Sequence, residues 1–251
     1  MKIDLTGKVA LITGGSRGLG EQMATTLAGA GAAIALVARD EARLKQVQAD
    51  IEAAGGRASI HLADVTAEAD VGRLVGEVEQ ALGAPHIVIN NAGTNVRKHL
   101  VDLTLDEFRS VIDSSLTSTF LVSRAFVPGM KGRGYGRIIN MTSMLSHISI
   151  PGRTPYSSAK TALLGFTRSL ALELALDGIT VNGISPGPFG TEMNHPVMND
   201  PEANAAFLAN LPVGRWGRIE EIGGLACYLC SELAGFITGT DIVIDGGWTA
   251  R

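Results

Sequence analysis

Seven short apolar runs punctuate the chain, at residues 9–13, 33–37, 58–62, 86–89, 137–141, 180–184 and 241–244. Each is about four to six residues long, a length that suits a strand buried on both faces. Longer stretches with a helical period lie between them. In 41–54, Leu44, Val47 and Ile51 share one face. In 71–82 the stripe is Leu74, Val75, Val78 and Leu82, and in 159–176 it is Leu163, Phe166, Leu170 and Leu174. Thr104 and Glu107 have capping-box spacing and open a long helix predicted over 105–130.

Strands that alternate with helices, with no polar linker between, predict an α/β fold. The expected form is one Rossmann-type domain over 1–251, a doubly wound parallel sheet of about seven strands with helices on both faces. Right-handed crossovers fix most of the topology. Ligands of such sheets sit beyond the carboxyl ends of the strands. Two regions break the alternation, the glycine-rich Gly246-Gly247 tail and a longer stretch before it. The longer one runs over 186–210, is polar and contains proline, and predicts a substrate lid at about 187–212.

Composition narrows the function. The 251 residues include 31 glycines, about 12% against a usual level near 7%. No Gly-X-Y period explains them, so they serve turns and close backbone approach. The net charge of −4 offers no basic excess for phosphates, so neither nucleic acid nor an anionic membrane is expected as a partner. The amino-terminal sequence does not read as a signal peptide, and no apolar run approaches the ~18–20 residues of a membrane span. A soluble, cytoplasmic protein is expected. Cys227 and Cys230 form a lone CxxC with no second pair, which reads as two small apolar residues on one helix rather than a metal site. No metal is expected.

The first strand runs into Thr13-Gly14-Gly15-Ser16-Arg17-Gly18-Leu19-Gly20, with a helix following. This is the setting of a phosphate-cradling turn. Gly14 permits the tight turn, Gly18 a close approach to a pyrophosphate, and Gly20 close helix–strand packing. The end of the second strand faces the adenosine ribose, where an NAD site places an acid for the 2′-hydroxyl. Here the sequence is Val37-Ala38-Arg39-Asp40. Ala38 cannot accept that bond, whereas Arg39 and Arg17 can pair with a 2′-phosphate. The prediction is NADP(H) over NAD(H), with Asp40 capping the next helix; an Asp40 turned to the ribose instead would restore a preference for NAD(H). Asp64 and Val65 after the third strand flank the adenine. Asn91, Ala92 and Gly93 after the fourth are small and leave room for the ribose.

Tyr156 and Lys160 stand four apart on one helix face. A nearby ammonium favours the phenolate, so Tyr156 is expected to have a lowered pKa and to exchange protons near neutral pH. Lys160 can also hold ribose hydroxyls. Ser143 ends the fifth strand at the same sheet edge and can hydrogen-bond a carbonyl.

Together, TGGSRGLG, NNAG, Ser143, YSSAK, PGPFGT and DGGW resemble the short-chain dehydrogenase/reductase family along essentially the whole chain. The resemblance implies hydride transfer between a nicotinamide and a carbonyl or alcohol carbon. It implies cofactor contacts from Pro186, Gly187 and Thr191, and a homotetramer built on helices 105–130 and 159–176. One position departs from the pattern: Ser115 stands where the family has an asparagine that helps hold a proton-relay water. Activity is expected to survive through Ser143, Tyr156 and Lys160.

Finer likeness, at residues 91–97, 143–146, 152–153 and 246–251, is to gluconate 5-dehydrogenases and deoxy-ketogluconate dehydrogenases. It implies a keto sugar acid such as 5-keto-gluconate as the small-molecule substrate. Arg97, His147 and Arg153 flank the site and suit a carboxylate and hydroxyls. Two alternatives stand beside it. A 3-oxoacyl-carrier-protein reductase would use basic residues for its acidic carrier, and only Lys131 and Arg133 are available, beside an acidic Asp177. A non-catalytic NADP(H)-binding sensor or scaffold would not need Tyr156.

Overall fold

The computed structural model describes residues 3–250. Its seven strands are β1 (Val9–Thr13), β2 (Ala33–Ala38), β3 (Arg57–Leu62), β4 (Ile87–Asn90), β5 (Gly136–Met141), β6 (Ile179–Pro186) and β7 (Asp241–Ile244). They form one all-parallel sheet in the order β3-β2-β1-β4-β5-β6-β7. The order reverses between β1 and β4, and in such sheets ligands bind outside the carboxyl ends of the strands at that point. The expected strands are all present, with ends moved by a residue or two.

Helices α1 (Gly18–Gly29) and α2 (Glu41–Ala53) cover one face together with α9 (Ile219–Cys230). Helices α3 (Glu68–Leu82), α5 (Ser118–Met130) and α6 (Thr154–Leu174) cover the other. The alternating side chains of β1 separate the two cores: Ala10 and Ile12 pack on the first, Leu11 on the second. Cys227 and Cys230 are free and buried in α9. No helix is long and apolar enough to cross a membrane.

Local signals set several helix ends. Asp40 caps α2 by accepting from the Arg43 amide at 3.1 Å. Thr104 and Glu107 form the expected capping box on α4 (Leu105–Ile112). The single helix predicted over 105–130 is a different object. A π-helical turn, Asp113–Thr117, separates α4 from α5. One extra residue shifts the apolar stripe by about 100°, but residues 118–130 are apolar on more than one side, so the change of phase does not show in the sequence. Hydroxyls gather there: Ser118 and Thr119 each donate to a carbonyl four residues back, Ser114 and Ser115, at 2.7 Å. Such single π turns concentrate at functional sites.

The irregular stretch after β6 contains two short helices, α7 (His195–Met198) and α8 (Pro201–Leu208). It is tied to its surroundings. Phe207 stacks on Trp216 at 4.5 Å and tilts against Trp248 at 5.0 Å. Trp216 Nε1 donates to Asn204 Oδ1 at 2.8 Å.

Candidate active site

The glycine turn after β1 has the backbone that its sequence requires. Gly14 and Gly18 have φ of 63° and 59°, a region that side chains avoid. A Cβ on Gly20 would lie 2.2 Å from the Gly14 carbonyl oxygen. The loop after β4 is sewn to this turn. Asn91 Nδ2 donates to the carbonyls of Thr13 and Gly14 at 3.0 and 3.1 Å, and Thr13 Oγ1 accepts from the amides of Asn91 and Ala92. Thr191, at the start of the irregular stretch, lies over the same turn: its methyl is 3.9 Å from where a Gly18 Cβ would be. Gly187 approaches the backbone of Asp245 so closely that a Cβ would meet it at 2.5 Å. Pro186 ends β6 beside it. Ser16 is half-buried in the turn, as is Leu19 one turn on.

The structure allots the charges at the adenosine end. Asp40 is engaged as the α2 cap. Arg17 is exposed and caps α1 without a side-chain bond. Arg39 is exposed and lies 3.6 Å from Asp64. Asp64 also accepts from the Thr66 amide and hydroxyl, which hold its carboxyl below the usual range. Val65 is buried beside it. Sequence reasoning missed Arg43, whose Nη1 donates to Glu192 Oε2 at 3.1 Å and ties α2 to the irregular stretch.

At the catalytic end, β5 delivers Ser143 and α6 delivers Tyr156 and Lys160. Ser143 Oγ accepts from the Leu145 amide at 3.1 Å, and its hydroxyl is paired with the Tyr156 phenol. Lys160 is 4% exposed, and its ammonium donates to the Met141 carbonyl. Burial lowers its pKa to about 8. Its Nζ lies 5.7 Å from the Tyr156 ring centre. The lowered phenol expected for Tyr156 is not what this geometry gives. Burial dominates and raises it; the Ser143 hydroxyl and the Arg153 charge oppose the rise without reversing it. Tyr156 is therefore a protonated acid at neutral pH.

Ser115 sits in the π turn, fully buried, and its Oγ has no hydrogen-bond partner. Gly93 faces it across a gap: a Cβ there would lie 3.2 Å from Ser115 Oγ and 3.7 Å from Lys160 Nζ. A side chain would fill this cradle, and glycine leaves it open.

The three residues expected to meet a carboxylate behave differently. Arg153 has a buried Nη1 with no acceptor, and burial and the neighbouring Arg97 charge lower its pKa. Arg97 is exposed. His147 is not free: its Nε2 lies 2.7 Å from Asp241 Oδ2 and 3.4 Å from Ser185 Oγ. Among the described residues, no group of three or more His, Cys, Asp or Glu is placed to hold a metal ion.

The arrangement joins a glycine turn at a helix start, a buried lysine, a protonated tyrosine and a serine hydroxyl on one sheet edge. The chain as a whole is similar to known proteins. A family model described as Enoyl-(Acyl carrier protein) reductase matches residues 14–249. Gluconate 5-dehydrogenase of Gluconobacter oxydans is 35% identical over 98% of this chain and 96% of its own. The 3-oxoacyl-[acyl-carrier-protein] reductase of Pseudomonas aeruginosa is 36% identical over 98% of each. The crystal structure of a gluconate 5-dehydrogenase from Burkholderia cenocepacia, in complex with NADP and tartrate, is 34% identical. It superposes with a TM-score of 0.94 over 100% of this chain and 98% of that one. The chain belongs to the short-chain dehydrogenase/reductase family and is an oxidoreductase of that family.

Proposed function

We propose that the protein transfers a hydride between NADP(H) and the carbonyl or secondary alcohol of a sugar acid, 5-keto-gluconate being the representative substrate. The observation that carries the substrate class is Arg153. A buried guanidinium nitrogen with no acceptor is costly unless a ligand supplies one. Arg153 sits beside Arg97 and close enough to Tyr156 for the two to influence each other's protonation. A substrate that carries both a carboxylate and a reducible carbonyl, as a keto sugar acid does, answers both requirements. The Burkholderia relative holds NADP and tartrate, a small hydroxylated diacid.

The cofactor fits the residues present. The turn at Gly14 and Gly18 and the start of α1 suit a pyrophosphate. With Asp40 held by its cap, no carboxylate is left at that position for a ribose 2′-hydroxyl, and Arg17 and Arg39 suit a 2′-phosphate. Lys160 and the open cradle at Gly93 suit ribose hydroxyls. When bound, the nicotinamide supplies or takes the hydride.

The protein's own groups manage the oxygen. The Ser143 hydroxyl donates to the substrate carbonyl and fixes its direction. Tyr156 delivers its proton as that oxygen gains charge, and Lys160 keeps a positive charge nearby. Stretch 187–212, anchored by Arg43–Glu192 and the Phe207–Trp216 stack, serves as the lid. Exposed Leu105, Phe120 and Leu172 on α4, α5 and α6 support a homotetramer through these helices; light scattering tests it.

The acyl-carrier reading has less support. Lys131 pairs with Asp177 at 3.4 Å, and Arg133 donates to the Ala84 and Pro85 carbonyls. Both precede β5, at the end of the sheet opposite Ser143. The test is a rate screen of purified protein with NADPH and NADH against keto sugar acids, acetoacetyl thioesters and simple ketones, with gluconate in reverse. The expected result is turnover of keto sugar acids with NADPH preferred. Preference for acetoacetyl thioesters overturns the substrate, and preference for NADH the cofactor.

A further inference from the structure

Asp241 opens β7, and its carboxylate does not stay there. It crosses β6 over Gly183, where a Cβ would lie 2.1 Å from Asp241 Oδ1. Only the missing side chain leaves room for it. Beyond Gly183 the carboxylate collects three donors. Oδ1 accepts from Thr142 Oγ1, while Oδ2 accepts from Ser185 Oγ at 2.6 Å and His147 Nε2 at 2.7 Å. Thr142 and Ser185 are almost fully buried. Each leads to Ser143. Thr142 precedes it in the chain, and Ser185 Oγ also lies 2.9 Å from the Ser143 carbonyl oxygen.

We infer that Asp241 is a positioning residue for the Ser143 hydroxyl, acting through Thr142 and Ser185, with His147 completing its hydrogen bonds. This inference rests on the reading of Ser143 as the hydroxyl that meets the substrate carbonyl. The Ser185 hydroxyl has one proton and several acceptors within reach, among them the Asp241 carboxylate at 2.6 Å, Thr142 Oγ1 at 2.9 Å and the Ser143 carbonyl at 2.9 Å. While His147 donates to Oδ2, the carboxylate is satisfied without Ser185, and the Ser185 proton is free to hold the Ser143 peptide. The Ser143 backbone is extended, with φ −164° and ψ 155°, so fixing its two flanking peptides fixes its Cα–Cβ direction, and the Leu145 amide then holds Oγ. Catalytic hydroxyls lose rate steeply when misplaced.

Two variants disturb the carboxylate by different routes. Asp241→Asn removes its charge while keeping its shape, and Gly183→Ala displaces it. Each is expected to lower kcat by about ten- to a hundredfold, with KM for the cofactor unchanged. Because both act through one group, the double variant is expected to lose no more than the worse single one. Thr142→Val should show the same fall, and Thr142→Ser, which restores the hydroxyl, should recover kcat. His147→Leu should show a smaller fall, since it only diverts the Ser185 proton.

Ser143→Ala is the reference. If it leaves kcat intact, the reading of Ser143 is wrong. If Ser143→Ala lowers kcat while Asp241→Asn and Gly183→Ala lower only Tm, Asp241 is merely structural and the inference fails. It also fails if the two losses add in the double variant.

Discussion

Near the amino end of the sheet, Arg137 is 3% exposed. Its guanidinium donates to the carbonyls of Gly136 and Ser231 and lies over the Tyr135 ring, 4.3 Å from its centre. His86 is satisfied there too: Nδ1 accepts from the Val9 amide, and burial with the Arg133 charge pushes its pKa down to about 4. Beyond the carboxyl end, Arg153 has a buried Nη1 with no acceptor. The other buried side-chain atoms without partners, among the described residues, belong to Asn90, Asn95 and Ser115. Asn90 ends β4, Asn95 lies in the loop beyond it, and Ser115 faces Gly93 from the π turn. Both ends bury polar groups, but one end completes their bonds internally and the other leaves several atoms without a protein partner. Unpaired buried groups in a folded protein call for an explanation, and under the proposed function a ligand supplies it for Arg153.

Tyr156→Phe tests this contrast most severely. Removing one hydroxyl at the carboxyl end should reduce kcat by about 10²–10⁴-fold. Cofactor affinity, followed by NADPH fluorescence, should barely change. Undiminished function would mean that the edge only binds a dinucleotide, as in a sensor or scaffold.

Arg153→Leu comes next. Loss of a charge-assisted bond should cut kcat/KM for keto sugar acids by about ten- to a hundredfold. Neutral ketones lack the carboxylate and should lose little. Equal losses for both substrates would show that Arg153 does not read the acid.

The pH profile follows from two pKa directions. Lys160 is lowered to about 8 and Tyr156 is raised. The ammonium is present below about pH 8 and lost above it, while the phenol stays protonated across this range. Carbonyl reduction should be flat through neutrality and decline as pH rises past about 8. Lys160→Met should remove that inflection. An unchanged profile in the variant would assign it to another group.

Arg137→Leu probes the other end. It strips donors from two buried carbonyls, at a cost of about 1–3 kcal/mol, which corresponds to a fall in Tm of roughly 2–10 °C. Turnover at a temperature well below Tm should not change. A kcat loss without a Tm loss would erase the distinction between the ends.

The fold was legible because its signals are local. Short apolar strands, helical stripes and the Thr104–Glu107 box each lie within a few residues. Ser143, Tyr156, Lys160 and the Gly14–Gly20 turn were legible as spacings anchored to strand ends. The rest depends on distant partners. His147 reads as a free polar wall until Asp241, 94 residues away, takes its Nε2. Asp241 itself reads as a polar start to an edge strand, because its route over Gly183 exists only once β6 and β7 pair. The direction of the Tyr156 shift was misjudged for the same reason. Spacing reveals a lysine one turn away but not the burial that raises the phenol.

Ser115→Ala carries the smallest expected effect and the cleanest distinction. An ordinary buried serine loses stability when its hydroxyl is removed, because a partner is left unpaired. Ser115 Oγ has no protein partner to orphan, so the alanine variant should keep its Tm or gain slightly. Its kcat should nonetheless fall, by less than about tenfold, because Ser143, Tyr156 and Lys160 remain and only a hydroxyl opposite Gly93 and Lys160 is gone. Melting and turnover therefore move in opposite ways at Ser115 and at Arg137. A variant of Ser115 that melts lower with kcat intact would show that its hydroxyl serves the fold, as the amino-end groups do, and not the chemistry.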